Sequence, residues 1–302
     1  MSALPLPDSV WSVLCCPQCG TGLAPDSDPL RCHGCDTVFP RSGSGSLDLR
    51  LQHSKRVGVD FDVGAPPMAR GFRFDPLEFN PHPQVDFAGI DRLWHLDDEL
   101  RSYFPRASRS GALALDMGCG TGLHRKVCER AGFDWIGLDY GEPDAPILGD
   151  AHALPFADSS VEFVVSMAVL EHIRYPFVAA KEVLRVLKPG GTYLGSVSFL
   201  EPFHGDSFYH HTHLGVFNTL ATAGFEVVRA APQPKWTGLK GMTHMALFPR
   251  VPSVVQGMLV WPLEVLSKGV WAVGRRVNAS KTREERMRTL AGAFNFVARR
   301  PM

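Results

Sequence analysis

The chain has 302 residues, 45% of them apolar and 21% charged, a composition that can bury a full core without disulfide staples. Lys plus Arg and Asp plus Glu are both 31, which weighs against a grossly basic nucleic-acid binder and against an acidic disordered tail. The first eight residues lack the basic and apolar stretches of a secretory leader. The most apolar run, from Val254 to Val273, is interrupted by Pro262, Glu264 and Lys268, so a membrane span is not expected. A cytoplasmic, reducing location is the expectation, and clustered thiols there point to a metal before a disulfide.

Five of the seven cysteines fall in the first 35 residues. Cys16-Pro-Gln-Cys19 and Cys32-His-Gly-Cys35 are two C-x2-C pairs at the spacing of a structural zinc site. Each pair folds into a knuckle with both thiolates facing one ion, and two knuckles close a tetrahedral site. Four thiolates leave no open position for catalysis, so Zn2+ held by Cys16, Cys19, Cys32 and Cys35 is expected to be structural. Gly20 and Gly34 stand where positive φ helps such a turn. With Leu14 to Leu23 and Leu30 to Pro40, this segment resembles the Trm112-like zinc-ribbon family. The resemblance implies a small ribbon over residues 10–50 that packs on, or activates, a methyltransferase.

Residues 51–90, rich in Gly, Pro and Phe at first, read as a linker running over the next domain. Leu93, Leu96 and Leu100 have helical spacing and predict a first helix over 91–103. Gly111 to Asp116 is an apolar run of strand length, followed by Met117-Gly-Cys-Gly-Thr-Gly122 and a helical pattern to Ala131. A strand, a glycine loop and a helix form a nucleotide-binding turn, in which backbone N–H groups face the ligand. The G-x-G-x-G spacing departs from the dinucleotide pattern, and the Gly-Lys-Ser/Thr end of a P-loop is absent. Phe133 to Asp139 predicts a second strand whose terminal carboxylate can accept both hydroxyls of a ribose. Asp139 and Asp150 are so close in sequence that the usual helix between strands two and three is nearly absent. Further strands are predicted over 161–167, 192–199, 225–231 and 293–299. A helix starts at Pro176 and is predicted to stop at Pro189-Gly-Gly191.

Leu-Asp-Met-Gly-Cys-Gly-Thr-Gly, Gly-Leu-Asp, Asp-Ala-His-Ala-Leu-Pro-Phe, Val-Leu-Glu-His-Ile and Leu-Arg-Val-Leu-Lys-Pro-Gly-Gly, in this order, resemble class I S-adenosylmethionine-dependent methyltransferases of the type 11-like kind. The resemblance implies a Rossmann-like α/β fold with a seven-stranded, mostly parallel sheet over 91–302, behind the small zinc ribbon. It also implies S-adenosyl-L-methionine as coenzyme. Carried over by position, Gly118, Gly120 and Gly122 line the methionine part and Asp116 helps hold its amino group. Asp139 takes the ribose, Asp150 the adenine amino group with Ala151 at the ring edge, and Ser166 stands at the mouth of the fourth strand.

Chemistry at the acceptor is less marked. After the fifth strand come His204, Asp206, His210, His211 and His213 within ten residues, at a carboxyl end where open α/β sheets bind ligands. One of His204, His211 or His213 can act as base toward a hydroxyl. Several can hold a divalent ion, or the set can be structural, capping the helix near Leu214. His172 is a further pocket candidate. The fourth strand ends Ser-Met-Ala-Val-Leu-Glu-His, not in the Asn/Asp-Pro-Pro-aromatic ending frequent in base and amide N-methylases. O-methylation of a sugar, glycolipid or secondary metabolite is therefore the leading reading, with a small-molecule or glycan acceptor. An rRNA or tRNA methyltransferase is the runner-up, disfavoured by the neutral charge. A methyltransferase-like subunit that docks a partner is the non-enzymatic reading. An insertion at about 233–290 is apolar first and basic afterwards. It reads as a lid or homodimer helix, or as a peripheral membrane contact.

Overall fold

The computed structural model describes residues 6–63, 74, 77–91, 93, 96–203, 205–278 and 282–302. In chain order the main elements are α1 (Asp8–Trp11), β1 (Leu30–Arg31), β2 (Val38–Phe39), β3 (Leu47–Asp48), α2 (Asp98–Arg101), β4 (Leu113–Met117), α3 (Arg125–Arg130), β5 (Asp134–Asp139) and β6 (Ile147–Leu148). They continue with β7 (Val161–Met167), α4 (Pro176–Val186), β8 (Leu187–Ser198), α5 (His213–Ala223), β9 (Glu226–Pro232), α6 (Gly238–Gly241), α7 (Ser253–Val277), α8 (Arg283–Thr289) and β10 (Ala293–Arg299).

The main sheet has the order β3-β6-β5-β4-β7-β8-β10-β9. Pairing is parallel from β3 to β8, and β10 runs antiparallel to both β8 and β9. Six of these strands fall where the sequence placed them; β6 fills the place of the third strand, and the eighth, β3, comes from the ribbon. Strands β4 and β7 are apolar almost throughout because both faces are covered, as parallel strands require. The strand order reverses between β4 and β7, and that reversal opens a crevice at the carboxyl ends.

Three local expectations change. The helix predicted over 91–103 shrinks to the single turn of α2, where the Asp97 side chain accepts from Leu100 N at 2.7 Å. That cap starts the helix later than the leucine spacing suggests. Helix α4 stops at Val186, not at Pro189, because Leu187 already pairs with Val161. In the ribbon, Gly20 has φ +83°, but the left-handed residue of the second knuckle is Asp36 at φ +57°. Gly34 is needed for space instead: a Cβ there would lie 2.2 Å from Thr21 Oγ1.

The ribbon shares its core with the main sheet. Val10, Leu14, Leu30, Phe39, Leu47 and Leu49 belong to one buried cluster with Leu113, Leu115, Ile136 and Phe156. Cys15 N donates to Pro155 O at 2.9 Å, Leu14 bridges Phe156, and β3 pairs with β6. A segment of about 40 residues is too small to build its own core; here it uses its neighbour's and a set of four thiols. The Sγ atoms of Cys16, Cys19, Cys32 and Cys35 all lie within 4.8 Å of one another, with 3.7 Å between Cys16 and Cys35 and 3.5 Å between Cys19 and Cys32. Tetrahedral zinc–thiolate bonds of ~2.3 Å put sulfurs roughly 3.8 Å apart, and a disulfide needs about 2.05 Å. The four donors therefore fit a zinc ion. Purified protein is expected to carry one zinc per chain by metal analysis, and Cys32→Ser to lower both zinc content and melting temperature. Metal-free wild-type protein with an unchanged melting curve contradicts this.

Candidate coenzyme site and acceptor cleft

The turn after β4 is held by two carboxylates. Asp116 is fully buried; it accepts from His124 Nδ1 and from Trp135 Nε1, each at 3.1 Å. Its side chain ties β4 to the start of α3 and to β5 beneath the loop. Asp139, at the end of β5, accepts from Gly120 N at 3.0 Å, Gly141 N at 2.9 Å and Glu142 N at 3.0 Å. Gly118 has φ +74°, and a Cβ there would lie 2.3 Å from Val169 Cγ2. That glycine is required both by its backbone angle and by the close passage of the segment after β7.

Above this turn lies a cavity of about 940 Å³. Much of its lining comes from the carboxyl ends of four neighbouring strands: Gly118 after β4, Asp139 and Tyr140 after β5, Gly149 to His152 after β6, and Ala168, Val169 and His172 to Tyr175 after β7. Of the sequence-derived coenzyme residues, Gly118, Asp139, Asp150 and Ala151 line it. Asp116, Gly120, Gly122 and Ser166 do not; Asp116 and Ser166 are fully buried. The geometry gives Asp116 a supporting place under the loop, tied to His124 and Trp135.

Asp150 Oδ1 accepts from His152 N at 2.9 Å and from His152 Nδ1 at 2.6 Å. His152 Nε2 accepts from Tyr175 N at 3.0 Å, so the imidazole proton sits on Nδ1. Burial pushes the Asp150 carboxyl up, but the His152 hydrogen bonds outweigh it and hold the group below the usual carboxylate range. Asp150 thus lines the cavity as a carboxylate, and both His152 bonds fall on its Oδ1.

His172, Arg174, Tyr175, Asp206 and Phe208 also line the cavity. The loop after β8 is laid against the segment after β7 by backbone bonds: Phe208 N and Tyr209 N donate to Glu171 O at 2.7 and 3.1 Å, and Tyr209 OH donates to Arg174 O at 3.1 Å. Glu171 is the joint. It is fully buried, and its Oε1 accepts from Ser198 N at 3.2 Å and Ser198 Oγ at 2.6 Å. Burial pushes its carboxyl above the usual range, against the pull of those bonds. Its place in Val-Leu-Glu-His was visible in the sequence; a carboxylate inside an apolar run was the signal.

The histidine cluster divides. His172 lines the cavity. His204 lies outside the described residues. His211 is buried, its Nε2 without a hydrogen-bond partner. His213 packs edge-on against Phe74 at 4.5 Å and beside Phe294 at 5.6 Å. Neither His211 nor His213 reaches the cavity lining, and Thr212, not a histidine, caps α5 by accepting from Gly215 N at 3.0 Å. Cys119 and Cys128 are buried, and burial pushes both thiols well above their usual range, which makes them inert.

Residues 115–195 match the family model described as a methyltransferase domain. An uncharacterized methyltransferase of Mycobacterium marinum is 34% identical over 122 residues, covering 36% of this chain and 48% of that protein. One from Mycolicibacterium gilvum is 30% identical over 158 residues, covering 48% of this chain and 61% of that protein. The chain thus spans about half the length of the curated relatives it matches. A chain from the complex between the Haloferax volcanii Trm112 methyltransferase activator and a methyltransferase superposes with a TM-score of 0.47 at 21% identity, covering 69% of this chain and 90% of that one. Residues 115–195, which hold the glycine turn and the strand reversal, thus match a methyltransferase domain.

One consequence is thermodynamic. Burial lowers the tendency of His211 to protonate, and His210 adds to this against a backbone bond near Leu170; burial lowers His213 likewise, with Arg288 adding and Glu285 opposing. The unfolded chain then binds these protons more readily, so stability falls as pH drops through about 6.5, the ordinary histidine value. Urea denaturation across this range is expected to show the slope, and His211→Gln to reduce it. Equal slopes in wild type and His211→Gln contradict the assignment.

Proposed function

We propose that the chain transfers a methyl group from S-adenosyl-L-methionine to a hydroxyl of a small-molecule, glycan or lipid acceptor. The observation that carries this reading is the single cavity that joins Gly118, Asp139 and Asp150 to His172 and Asp206. Its volume of about 940 Å³ is near the top of the ~300–1,000 Å³ usual for small-molecule sites, which leaves room for a nucleoside-sized ligand and part of an acceptor.

The coenzyme supplies an electrophilic sulfonium methyl. The chain supplies positions. Asp139 offers its carboxylate to the ribose hydroxyls while three backbone N–H groups keep it aimed. Asp150 Oδ2, with Oδ1 occupied by His152, offers an acceptor to an exocyclic amine, and Ala151 flanks the ring. Gly118 lets the methionine end approach the backbone. Most of the rate gain in such a transfer comes from holding nucleophile and methyl at attack distance. In this reading His172, which lines the cavity, accepts the acceptor's hydroxyl proton, and Arg174, Tyr175 and Phe208 shape the entrance. Leu51, Lys55 and Val57, just past the ribbon, form another wall of the same cavity. Lys55 Nζ donates to Pro17 O at 2.7 Å, inside the first zinc knuckle. The ribbon's role in this reading is to seat that wall.

Asp139→Ala is expected to weaken coenzyme binding at least about tenfold by calorimetry, since a charge-assisted hydrogen bond contributes roughly 1.5–3 kcal/mol. His172→Ala is expected to keep coenzyme affinity within about twofold while losing on the order of a hundredfold or more in methyl transfer, the contribution of a general base. Product formation is read as a methyl mass increment on candidate acceptors. Unchanged coenzyme affinity in Asp139→Ala overturns the ribose assignment; unchanged turnover in His172→Ala removes His172 as base.

A further inference from the structure

Between β9 and β10 the chain leaves the sheet for about sixty residues. Helix α6 is seated on the segment after β8: a Cβ at Gly238 would lie 2.5 Å from Leu200, and Trp236 Nε1 donates to Glu201. Helix α7 is then attached along one narrow seam. Gln256 Nε2 donates to Phe248 O, Val260 is buried, and Glu264 accepts from Thr237 Oγ1 at 3.0 Å. At 3.6 residues per turn these three positions lie within about 80° of one another.

Most of the rest of α7 is apolar and exposed. Met258 is 68% exposed, Trp261 64%, Leu266 64% and Val273 61%, and Val254, Leu263 and Val270 are also exposed. Projected down the axis, the exposed apolar residues cover an arc of about 200°. A helix pair needs only a narrow seam of every third and fourth residue, so a second copy of this helix would leave most of the arc in water. Charge is one-sided as well. Glu264, the acid of α7, is used in the seam, while Lys268, Arg275 and Arg276 are exposed. From 264 to 290 the sequence carries seven Lys or Arg against three Glu. No helix among the described residues is long and apolar enough to cross a bilayer.

We infer that α7 lies in the surface of an anionic lipid bilayer, with Trp261 and its aliphatic neighbours in the acyl boundary and Lys268, Arg275 and Arg276 at the headgroups. A wide apolar arc, a tryptophan and flanking cations are the features of an interfacial helix, and anionic headgroups are the partner that this charge selects. Because α6 rests on Leu200 and Glu201, beyond the carboxyl end of β8, the membrane face is tied to the same edge of the sheet as the acceptor cleft.

The test is co-sedimentation of the full chain with phosphatidylcholine vesicles, with and without about 30% phosphatidylglycerol, at low and high salt. Coenzyme and acceptor are left out, so the result does not depend on methyl transfer. Binding to the anionic vesicles is expected to be at least about tenfold tighter than to neutral ones and to weaken with salt. The doubles Met258→Gln/Leu266→Gln and Arg275→Glu/Arg276→Glu are each expected to lose on the order of tenfold or more, with coenzyme affinity and melting temperature retained as evidence of an intact fold. Three results overturn the inference: no sedimentation with anionic vesicles, equal sedimentation of wild type and both variants, or a stable dimer in solution that Met258→Gln/Leu266→Gln splits.

Discussion

The structure depends on a turn that could not hold its shape on backbone bonds alone. Three glycines in five residues give the segment after β4 great freedom in the unfolded chain, and fixing it costs entropy. Two carboxylates offset that cost from opposite sides. Asp116 is clamped from below by His124 and Trp135, and Asp139 reaches across from β5 to Gly120 N. A buried carboxylate without partners is expensive. Each partner here belongs to another element, so satisfying the charge also sets the spacing of β4, β5 and α3. The cavity above the turn is a consequence of that spacing and of the strand reversal beside it.

Much of this was legible in the sequence. The parallel strands read as continuous apolar runs because both faces are covered, and 161–167 and 293–299 end where the reading placed them. The four-cysteine set and the glycine turn were visible because their chemistry demands fixed spacings. What depends on three-dimensional neighbours was not. Nothing local distinguishes His213, packed on Phe74, from His172, which lines the cavity. Leucine spacing over 91–103 suggested a longer helix than forms, since Leu93 and Leu96 are joined by a bridge before the Asp97 cap. The burial of Asp116 follows from what Trp135 and His124 do around it, and no spacing rule reports that.

The ribbon and the insertion are the two departures from a plain sheet-and-helix domain, and they act on different edges. The ribbon joins the sheet through β3 and shares its core, so that its four-thiol cluster and the cavity wall at 51–57 belong to one packed unit. The insertion is attached by a seam of three residues and leaves a broad apolar helix face outside. A proposed lipid surface at that face and a hydroxyl acceptor in the cleft are compatible readings of one edge, and each can fail without the other.

The most direct measurement is a crystal structure of the full chain with S-adenosylhomocysteine. The account predicts the ribose hydroxyls on the Asp139 carboxylate, the adenine edge beside Asp150 and Ala151, and the sulfur end over Gly118, facing His172 and Asp206. A ligand bound elsewhere, or in this cavity with its ribose away from Asp139, contradicts it.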